Sequence, residues 1–551
     1  MYMRTISRTN KDGSRVQYVQ LAHNVRDQKT GNSKAEILYN FGRKDHLDLE
    51  AIRRLIRSLS RFLDPEDSLQ TQVQAESESP VSYQQSWEAG GPLLLRGLWK
   101  RLRIDRVLKR AQKDRGLSTP VEDALFAMVA NRALAPSSKL AIEDWARDSV
   151  ALGNSKNLQV QHFYRAMDFL LENQAQIQEK VFRSVVNLLN LQVDVIFFDT
   201  TNIFFETEDP GDSELKALGN SKEKRDDLPL VTVGLAVTRS GIPVGCWVLP
   251  GNQHDATSVE QVQKDLAGWQ LSRVVWVMDR GMTSEQNKRI LQQAGGDYIL
   301  GEKLRGNKDS EKALSRGGRY KPVKDNLQVK EVVLGSGATR RRYVIMHNPE
   351  EAERDKATRQ SILDRVQAEL DSLQDLNAKK RAEARKRLLE HKTLGRYLKE
   401  LKNGQLTWNK AKIKDDAKLD GKHLVSSSNE ELSAEELALG YKQLMDVERG
   451  FRTMKTTLDL RPVYHRRDDR ICSHVVLCWL ALLLIRVAES EVGQSWDRIR
   501  SEFQKLRLGE FLTRENRILQ HTQLTSNQRN ILQKLNIKPP RIIKSIEQRG
   551  S

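Results

Sequence analysis

The clearest fold signal in this chain is Val193-Asp194-Val195-Ile196-Phe197-Phe198-Asp199-Thr200-Thr201. Its apolar run predicts a buried strand, and Asp199 stands where that run ends. A second run, Val274-Val275-Trp276-Val277-Met278, ends in the same way at Asp279. Two carboxylates at the ends of buried strands are suited to hold divalent cations, whereas a single aspartate in such a position usually forms a turn.

Strands and helices alternate around these two runs. We predict strands over Val193–Asp199, Leu230–Thr238, Ile242–Leu249, Arg273–Met278 and Tyr298–Leu300, and helices over Thr257–Trp269 and Ser284–Ala294. The turn Arg239-Ser240-Gly241 joins the second and third strands as a hairpin. Three strands in a meander followed by alternating helix and strand predict an α/β fold with a mixed sheet.

A third acid, Glu448, lies in a segment with helical periodicity. Ser433 and Glu436 form a capping box, and we predict one helix from there to about Leu458. Its apolar positions are 440, 444, 447, 451, 454 and 458, which would lie on the sheet. Glu448 would then point along the margin of the helix, toward the strand ends.

Basic and aromatic side chains accompany the three acids. At 100° per residue, Tyr441, Glu448, Arg452 and Lys455 share an arc of about 60° on the predicted helix. Candidates for contacts with phosphate are Tyr441, Arg449, Arg452 and Lys455 on the helix and Lys222, Lys224 and Arg225 in the loop after the first strand. Surface ion pairs and a solvated loop are the ordinary structural interpretations. His254 and Asp255 could reach a metal, although a turn is the simpler role.

The acid trio suits Mg²⁺, with Mn²⁺ as a substitute, because both prefer hard oxygen ligands. Two such ions about 3.5–4 Å apart can activate a water or a 3′-hydroxyl and stabilise the leaving oxygen of a phosphodiester. Asp199, Asp279 and Glu448 are therefore both the catalytic and the metal-ligating candidates.

Composition indicates a polyanionic partner. The 551 residues carry a net charge of +18, and cations that neutralise phosphates release counterions from nucleic acid. Cys246, Cys472 and Cys478 form no disulfide framework or zinc motif, which favours a cytosolic protein. No signal peptide is expected at the start, and the apolar run Val475–Ile485 predicts a buried helix because it is too short to span a membrane.

The chain divides into several segments of different composition. We predict a small β/α unit over 1–65, with a helix near Leu47–Phe62; a linker over 66–92; a helical, basic, DNA-binding domain over 93–190; catalytic core over 191–300 and 431–490; an insertion domain with a charged helical arm over 301–430; and a basic tail over 491–551. The helical domain could equally present an ordinary solvated face.

These features resemble the RNase H-like catalytic domain of the DDE transposases of bacterial insertion sequences. The resemblance is carried by Phe198–Thr201, Asp279–Met282, Glu448–Lys455, Leu460–His465 and Arg470–His474. Tyr441, Glu448 and Lys455 match the family signature Y-x2-R-x3-E-x6-K, and Leu444 stands where that signature has arginine. Residues 190–300 and 425–490 are well covered by the resemblance.

The resemblance implies metal-dependent strand cleavage at transposon ends and strand transfer into target DNA. It implies double-stranded DNA partners, namely the inverted-repeat ends and the target, and a homodimer in the synaptic complex. It also implies a bacterial cytoplasmic protein associated with the nucleoid. In relatives the insertion domain helps to hold the transposon end and a flipped base; Trp408 is a candidate for stacking on such a base, although a lone tryptophan usually packs.

Two other functions are compatible with the sequence. A nuclease or recombinase of the same fold would cut DNA without joining it. A DNA-binding regulator with inactive acids would bind DNA without any metal-stimulated cleavage.

Overall fold

The structure is a computed structural model of the chain. It describes residues 1–9, 15–26, 33–48, 51–52, 81–113, 119–153, 157–191, 193–206, 211–219, 221–222, 225–269, 271, 274–337, 340–375, 377–463, 465–512 and 516–548. The chain forms two compact units. One contains Met1–Gln84, Glu510–Ile518 and Ser545–Ser551, and the other contains Gln85–Gly509 and Leu519–Lys544.

The first unit begins with an antiparallel sheet of three strands. They are β1 (Tyr2–Thr9), β2 (Arg15–Arg26) and β3 (Ser33–Arg43), in the order β1-β2-β3. The sequence predicted a small β/α unit over 1–65 within a fold class whose N-terminal DNA-binding region is helical; the helical N-terminus is wrong, because the start of the chain forms strands. The helix predicted near Leu47–Phe62 lies mostly outside the described residues.

The second unit starts with a layer of helices. The chain runs through β4 (Ser82–Glu88), α1 (Gly90–Arg101), α2 (Ile104–Lys113), α3 (Val121–Leu134), α4 (Lys139–Asp144), α5 (Val160–Glu172) and α6 (Gln174–Leu189). The helical character predicted for 93–190 is therefore found. The linker predicted over 66–92 is wrong from Ser82 onward, where a strand and then a helix form; residues 66–80 lie outside the described part.

A sheet of nine strands forms the centre of this unit. Its first five strands are β5 (Val195–Phe204), β6 (Leu230–Thr238), β7 (Pro243–Pro250), β8 (Val275–Met278) and β9 (Asp297–Gly301), with α7 (Asp255–Ala267) and α8 (Glu285–Gln293) between them. They lie side by side in the order β7-β6-β5-β8-β9. β8 is parallel to β5 and β9, whereas β6 is antiparallel to both of its neighbours. The predicted mixed sheet is thus confirmed.

Strands from the predicted insertion extend the same sheet. After α9 (Lys308–Ser315) the chain forms β10 (Lys321–Lys324), β11 (Leu327–Leu334) and β12 (Arg341–His347), and later β15 (Lys422–Ser427). β15 pairs antiparallel with β9, and β12, β11 and β10 follow outward. The predicted insertion over 301–430 is therefore not wholly separate from the central sheet. Its strands β10, β11, β12 and β15 are hydrogen-bonded members of that sheet.

The stretch between β12 and β15 leaves the sheet. It contains α10 (Pro349–Ser372), α11 (Ala378–Glu390), β13 (Leu398–Glu400), β14 (Leu406–Trp408) and α12 (Lys410–Ala417). We call residues 348–421 the arm. It has a small apolar cluster of its own around Val366, Leu388 and Leu398. The charged helical arm predicted from the sequence is therefore present, as two successive helices.

Helices from the last third of the unit cover one face of the sheet. They are α13 (Ala434–Lys442), α14 (Met445–Thr456) and α15 (Asp468–Val492). By length and composition α15 could cross a membrane, but 94% of its most apolar window is buried inside the protein, as in a core helix. The buried helix predicted around Val475–Ile485 is thus confirmed.

The final segment is folded. It forms α16 (Trp496–Gln504), β16 (Arg507–Leu512), β17 (Asn516–His521), α17 (Ser526–Lys534) and β18 (Ile543–Gln548). The sequence predicted a basic tail, helical in parts, over 491–551; two helices do form there, but the described residues are a folded part of the structure and not a tail. Apolar residues in this segment such as Ile499, Phe503 and Ile531 are buried in the main core.

Candidate active site

Asp199 and Asp279 each come directly after one member of a pair of register partners on two adjacent parallel strands. Phe198 of β5 is the register partner of Met278 of β8, so the next residues of the two strands are the two aspartates. Asp279 directly follows its strand, as predicted. Asp199 does not end its strand, because β5 continues to Phe204 through pairing with β6. The register brings together two acids that lie 80 positions apart in sequence.

Both aspartates belong to the face of the sheet that α14 and α15 cover. Successive side chains of a strand point to opposite faces, and Phe197 and Val277, two positions before the aspartates, lie in the core shared with these helices. The intervening residues Phe198 and Met278 lie in the other core, with α7. The acid pair therefore faces the layer that carries Glu448.

The ammonium of Lys222 lies among oxygen atoms beside Asp199. Its Nζ is 3.4 Å from Asp199 Oδ1, 3.8 Å from Asp255 Oδ2, 2.6 Å from the Thr200 carbonyl oxygen and 3.0 Å from Thr200 Oγ1. The Thr200 hydroxyl also donates to Asp255 Oδ1 at 2.6 Å. These oxygens form a position for a cation, and the lysine of the chain itself occupies it.

Burial controls the charge of Asp199, whose side chain is 17% exposed. Burial raises the pKa of the Asp199 carboxyl, and the charge of nearby Asp279 raises it further. The Lys222 ammonium and a hydrogen bond from the Thr200 backbone N–H, 2.7 Å from Oδ1, oppose this rise. The charge of Asp279 acts on Asp199, so the two carboxylates repel each other, and a bound cation would relieve that repulsion.

Tyr441 connects α13 with the second aspartate. Its hydroxyl donates to Asp279 Oδ1 at 3.1 Å. Burial raises the pKa of Tyr441, and the Asp279 charge adds to the rise, so the hydroxyl remains a donor. Gly301 on β9 leaves the space for this ring, since a Cβ at that position would lie 2.3 Å from the Tyr441 hydroxyl oxygen.

Glu448 lies on the first turn of α14 and is exposed. Gly450 of the same helix lies against Leu235, the cross-strand partner of Asp199; a Cβ there would be 2.9 Å from Leu235 Cδ2. The helix that carries Glu448 is thus packed on β6, against the cross-strand partner of Asp199. Within the described residues the Glu448 carboxylate forms no hydrogen bond or ion pair, and no group of three His, Cys, Asp or Glu residues is close enough to hold one ion.

The single helix predicted from Ser433 to Leu458 is wrong. The capping box of Ser433 and Glu436 forms as expected, but the first helix ends at Lys442 and the second begins at Met445. Tyr441 and Glu448 therefore belong to different helices. Leu444, at the junction, is buried in the core, which accounts for an apolar residue at this position.

The predicted phosphate-binding residues are dispersed. Arg449 and Arg452 are exposed and line a separate cavity with Ser240 and Arg486. Lys455 is partly buried on α14. Of the loop residues, Lys222 lies in the acid site; Arg225 pairs with Asp227 at 3.0 Å, and Lys224 lies outside the described residues.

Trp408, the candidate for base stacking, is partly buried at the end of β14. It packs against the apolar cluster of the arm, which includes Leu398, its register partner on β13. The observed contacts correspond to the packing role.

The donor set fits a hard divalent cation. Asp199 and Asp255 supply carboxylate oxygens and Thr200 supplies a carbonyl around one position, and these are ligand types that Mg²⁺ and Mn²⁺ take in proteins; within the described residues no third carboxylate lies close enough to share that position. The ammonium already held there shows that these oxygens accept positive charge. From the sequence, a turn was the simpler role for Asp255, and Thr200 was not predicted as a site residue. The sequence signal for Asp255 is an acid at the start of a helix that follows a core strand.

Comparison with known protein families gives two matches. Residues 3–72 match the family described as IS1634 family transposase, N-terminal domain. Residues 195–484, more than half of the chain, match the family described as Transposase DDE domain. A comparison with curated proteins gave no match.

Among solved structures, the chain is similar to a cryo-EM structure of a piggyBac transposase synaptic complex with hairpin DNA. The sequence identity is 10%, the TM-score is 0.35, and the similarity covers 75% of this chain and 79% of the other.

Proposed function

The chain belongs to the transposases with a DDE domain, and we propose that Asp199, Asp279 and Glu448 are its catalytic acids. The protein is a DNA transposase. The observation that supports the assignment is the in-register pair of aspartates on β5 and β8, on the sheet face beneath the helix that carries Glu448.

The proposed reaction is strand cleavage at the ends of an insertion sequence, followed by strand transfer into target DNA. Two Mg²⁺ ions, or Mn²⁺ in their place, would supply activation of the attacking oxygen and stabilisation of the leaving oxygen. Asp199 and Asp279 would hold both ions, and Glu448 would approach from α14 when DNA is bound.

Neighbouring side chains would orient these acids. The Tyr441 hydroxyl occupies Asp279 Oδ1 and fixes the rotation of that carboxyl group. The Thr200 backbone N–H does the same for Asp199 Oδ1, and Asp255 holds the Thr200 hydroxyl. Lys222 would exchange its carboxylate partners for a DNA phosphate, since an ammonium binds either anion.

The proposed partners are double-stranded DNA with the element's inverted repeats and target DNA. We also propose that two copies of the chain join the two transposon ends, and that the protein acts at the bacterial nucleoid. We also propose that Tyr441, Glu448 and Lys455 act as the residues of the family signature. Contacts with DNA phosphates are proposed for Arg449, Arg452 and Lys455.

The test is cleavage of a duplex that carries the element's end, with Mg²⁺ or Mn²⁺, by wild type and by Asp199→Ala, Asp279→Ala and Glu448→Ala. We expect each variant to lose at least about a thousandfold in cleavage rate and to keep its affinity for the duplex in EDTA. Asp265→Ala is the matched control, because this acid bonds to Trp247 outside the site. Cleavage retained in an Ala variant would refute the assignment of that acid.

The same assay separates the other functions. Hydrolysis of authentic ends without joining would indicate a nuclease, and duplex binding without any cleavage by the wild type would indicate a regulator. Either result would replace the proposed reaction.

A further inference from the structure

We propose that a basic cleft between α1 and the segment Ile537–Lys544 binds the phosphate backbone of double-stranded DNA. The cleft is a cavity of about 1030 Å³ within the second unit, and it includes none of the candidate catalytic acids in its described lining. It is thus a second DNA contact, which acts in binding and requires no catalysis.

The charge of the cleft is strongly positive. Six lysine or arginine side chains and two carboxylates line it. Arg96 bonds to both carboxylates, Glu122 and Asp123, and its charge together with that of Lys109 balances their two negative charges. Lys109 adds a weaker pair with Glu122 at 3.7 Å.

Four cations remain without a carboxylate. Lys100 on α1 and Lys538, Arg541 and Lys544 on the opposite wall are exposed, and none of them forms an ion pair within the described residues. His521 lies beside them; burial lowers its pKa, so it adds no charge at neutral pH. An excess of unpaired cations around a cleft indicates a polyanionic ligand, because their repulsion is relieved when phosphates bind.

The two walls are fixed to each other. The side chain of Ile537 packs directly on Gly97 of α1, where a Cβ would lie 2.7 Å from Ile537 Cδ1. Pro539 and Pro540 restrict the backbone between Lys538 and Arg541. The cations are therefore presented at a fixed spacing, as a contact with a regular phosphate backbone requires.

The experiment measures duplex affinity in EDTA at several salt concentrations. The test variant is Lys538→Gln/Arg541→Gln/Lys544→Gln. The control, Lys264→Gln/Lys312→Gln/Lys505→Gln, removes three lysines that are each paired with a neighbouring carboxylate. Two duplexes are compared, one with the terminal repeat that flanks the gene and one of unrelated sequence.

If the cleft binds the backbone, the test variant should lose affinity by about tenfold to a hundredfold, and the slope of log K against log salt should fall by about 2–3. The control should change neither quantity by a comparable amount. If affinity falls for both duplexes, the cleft binds DNA of any sequence. If affinity falls for the terminal repeat alone, the cleft binds the transposon end. Lys100→Gln, on the other wall, should lower the slope by about one.

Equal losses in test and control variants would overturn the proposal, since they would reflect net charge alone. Unchanged affinity and slope in the test variant and in Lys100→Gln would overturn it as well. Because no metal is present, the result is independent of the assignment of the catalytic acids.

Discussion

Among single residues, Asp199 has the most informative electrostatic surroundings, because neighbouring charges act on its carboxylate in opposite directions. It lies beside another carboxylate on one side and beside the Lys222 ammonium on the other. Without a divalent cation, the single positive charge of Lys222 balances only part of the negative charge of the two aspartates. Two substitutions test the two sides of this balance.

Asp199→Asn should stabilise the metal-free protein at pH 8. Because the folded-state pKa of Asp199 is raised, its ionisation costs folding free energy as pH rises through that value. Removing the carboxylate removes the cost, so we expect a melting temperature about 1–3 °C higher in EDTA. The gain should fade as pH falls toward 3.8, the ordinary value for aspartate. A gain that is equal at pH 4 and pH 8, or a loss at pH 8, would contradict the prediction.

Lys222→Met should bind Mn²⁺ about two- to fivefold more tightly than wild type in the absence of DNA. The reason is competition, since the ammonium lies 3.4 Å from an oxygen of Asp199. Titration followed by electron paramagnetic resonance measures the change. Arg225→Met is the control, because it removes the same charge from an arginine paired with Asp227. The same gain in both variants would show a general charge effect and no competition.

At the scale of elements, β9 and α13 approach so closely that only glycine fits between them. In Gly301→Ala, the new methyl group would meet the Tyr441 hydroxyl and the Arg280 backbone nitrogen. We expect a loss of about 1–3 kcal/mol in unfolding free energy, partly recovered in Gly301→Ala/Tyr441→Phe because the hydroxyl is gone. Denaturant unfolding measures both variants, with Gly268→Ala, which points into open space, as the control. Independent, additive effects of the two substitutions would argue against a direct clash.

The sequence predicted the elements with strong local signals. β6 was predicted with its observed bounds, Leu230–Thr238, because nine consecutive residues are apolar or β-branched apart from one glycine. The break between α13 and α14 was missed, since the apolar spacing continues through Leu444 across the junction. The pairing of β9 with β15 was also missed, because no local pattern identifies a partner more than 120 residues away.

The candidate site was predictable in part for the same reason. Asp199 and Asp279 end apolar runs, which is a local signal, and the parallel register then places them together. The roles of Thr200 and Asp255 depend on where α7 begins relative to β5, and this relation exists only in the folded sheet.

At the scale of the whole molecule, the arm is inserted at one point of the sheet. His347 at the end of β12 and Lys422 at the start of β15 are register partners on antiparallel strands, so the 74 residues between them occupy the place of a hairpin turn. We expect a variant in which Asn-Gly replaces residues 348–421 to fold and to melt within a few degrees of wild type, since the arm has its own apolar cluster.

Circular dichroism and thermal melting would measure that variant. The matched control also removes Ile345–His347 and Lys422–Leu424, which breaks the pairing of β12 with β15, and it should not fold. Aggregation of the Asn-Gly variant, with soluble wild type prepared in parallel, would show that the core needs the arm.

The parallel pairing of β5 and β8 also has a consequence for protein synthesis. A hairpin and a crossover helix must be made between the two aspartates before they can meet, and Glu448 is translated much later still. A ribosome that stalls, or a message that is cut short, therefore releases a product without the complete acid trio. On the proposed assignment of the three acids, unfinished copies of this enzyme should be unable to nick the chromosome of the cell that makes them.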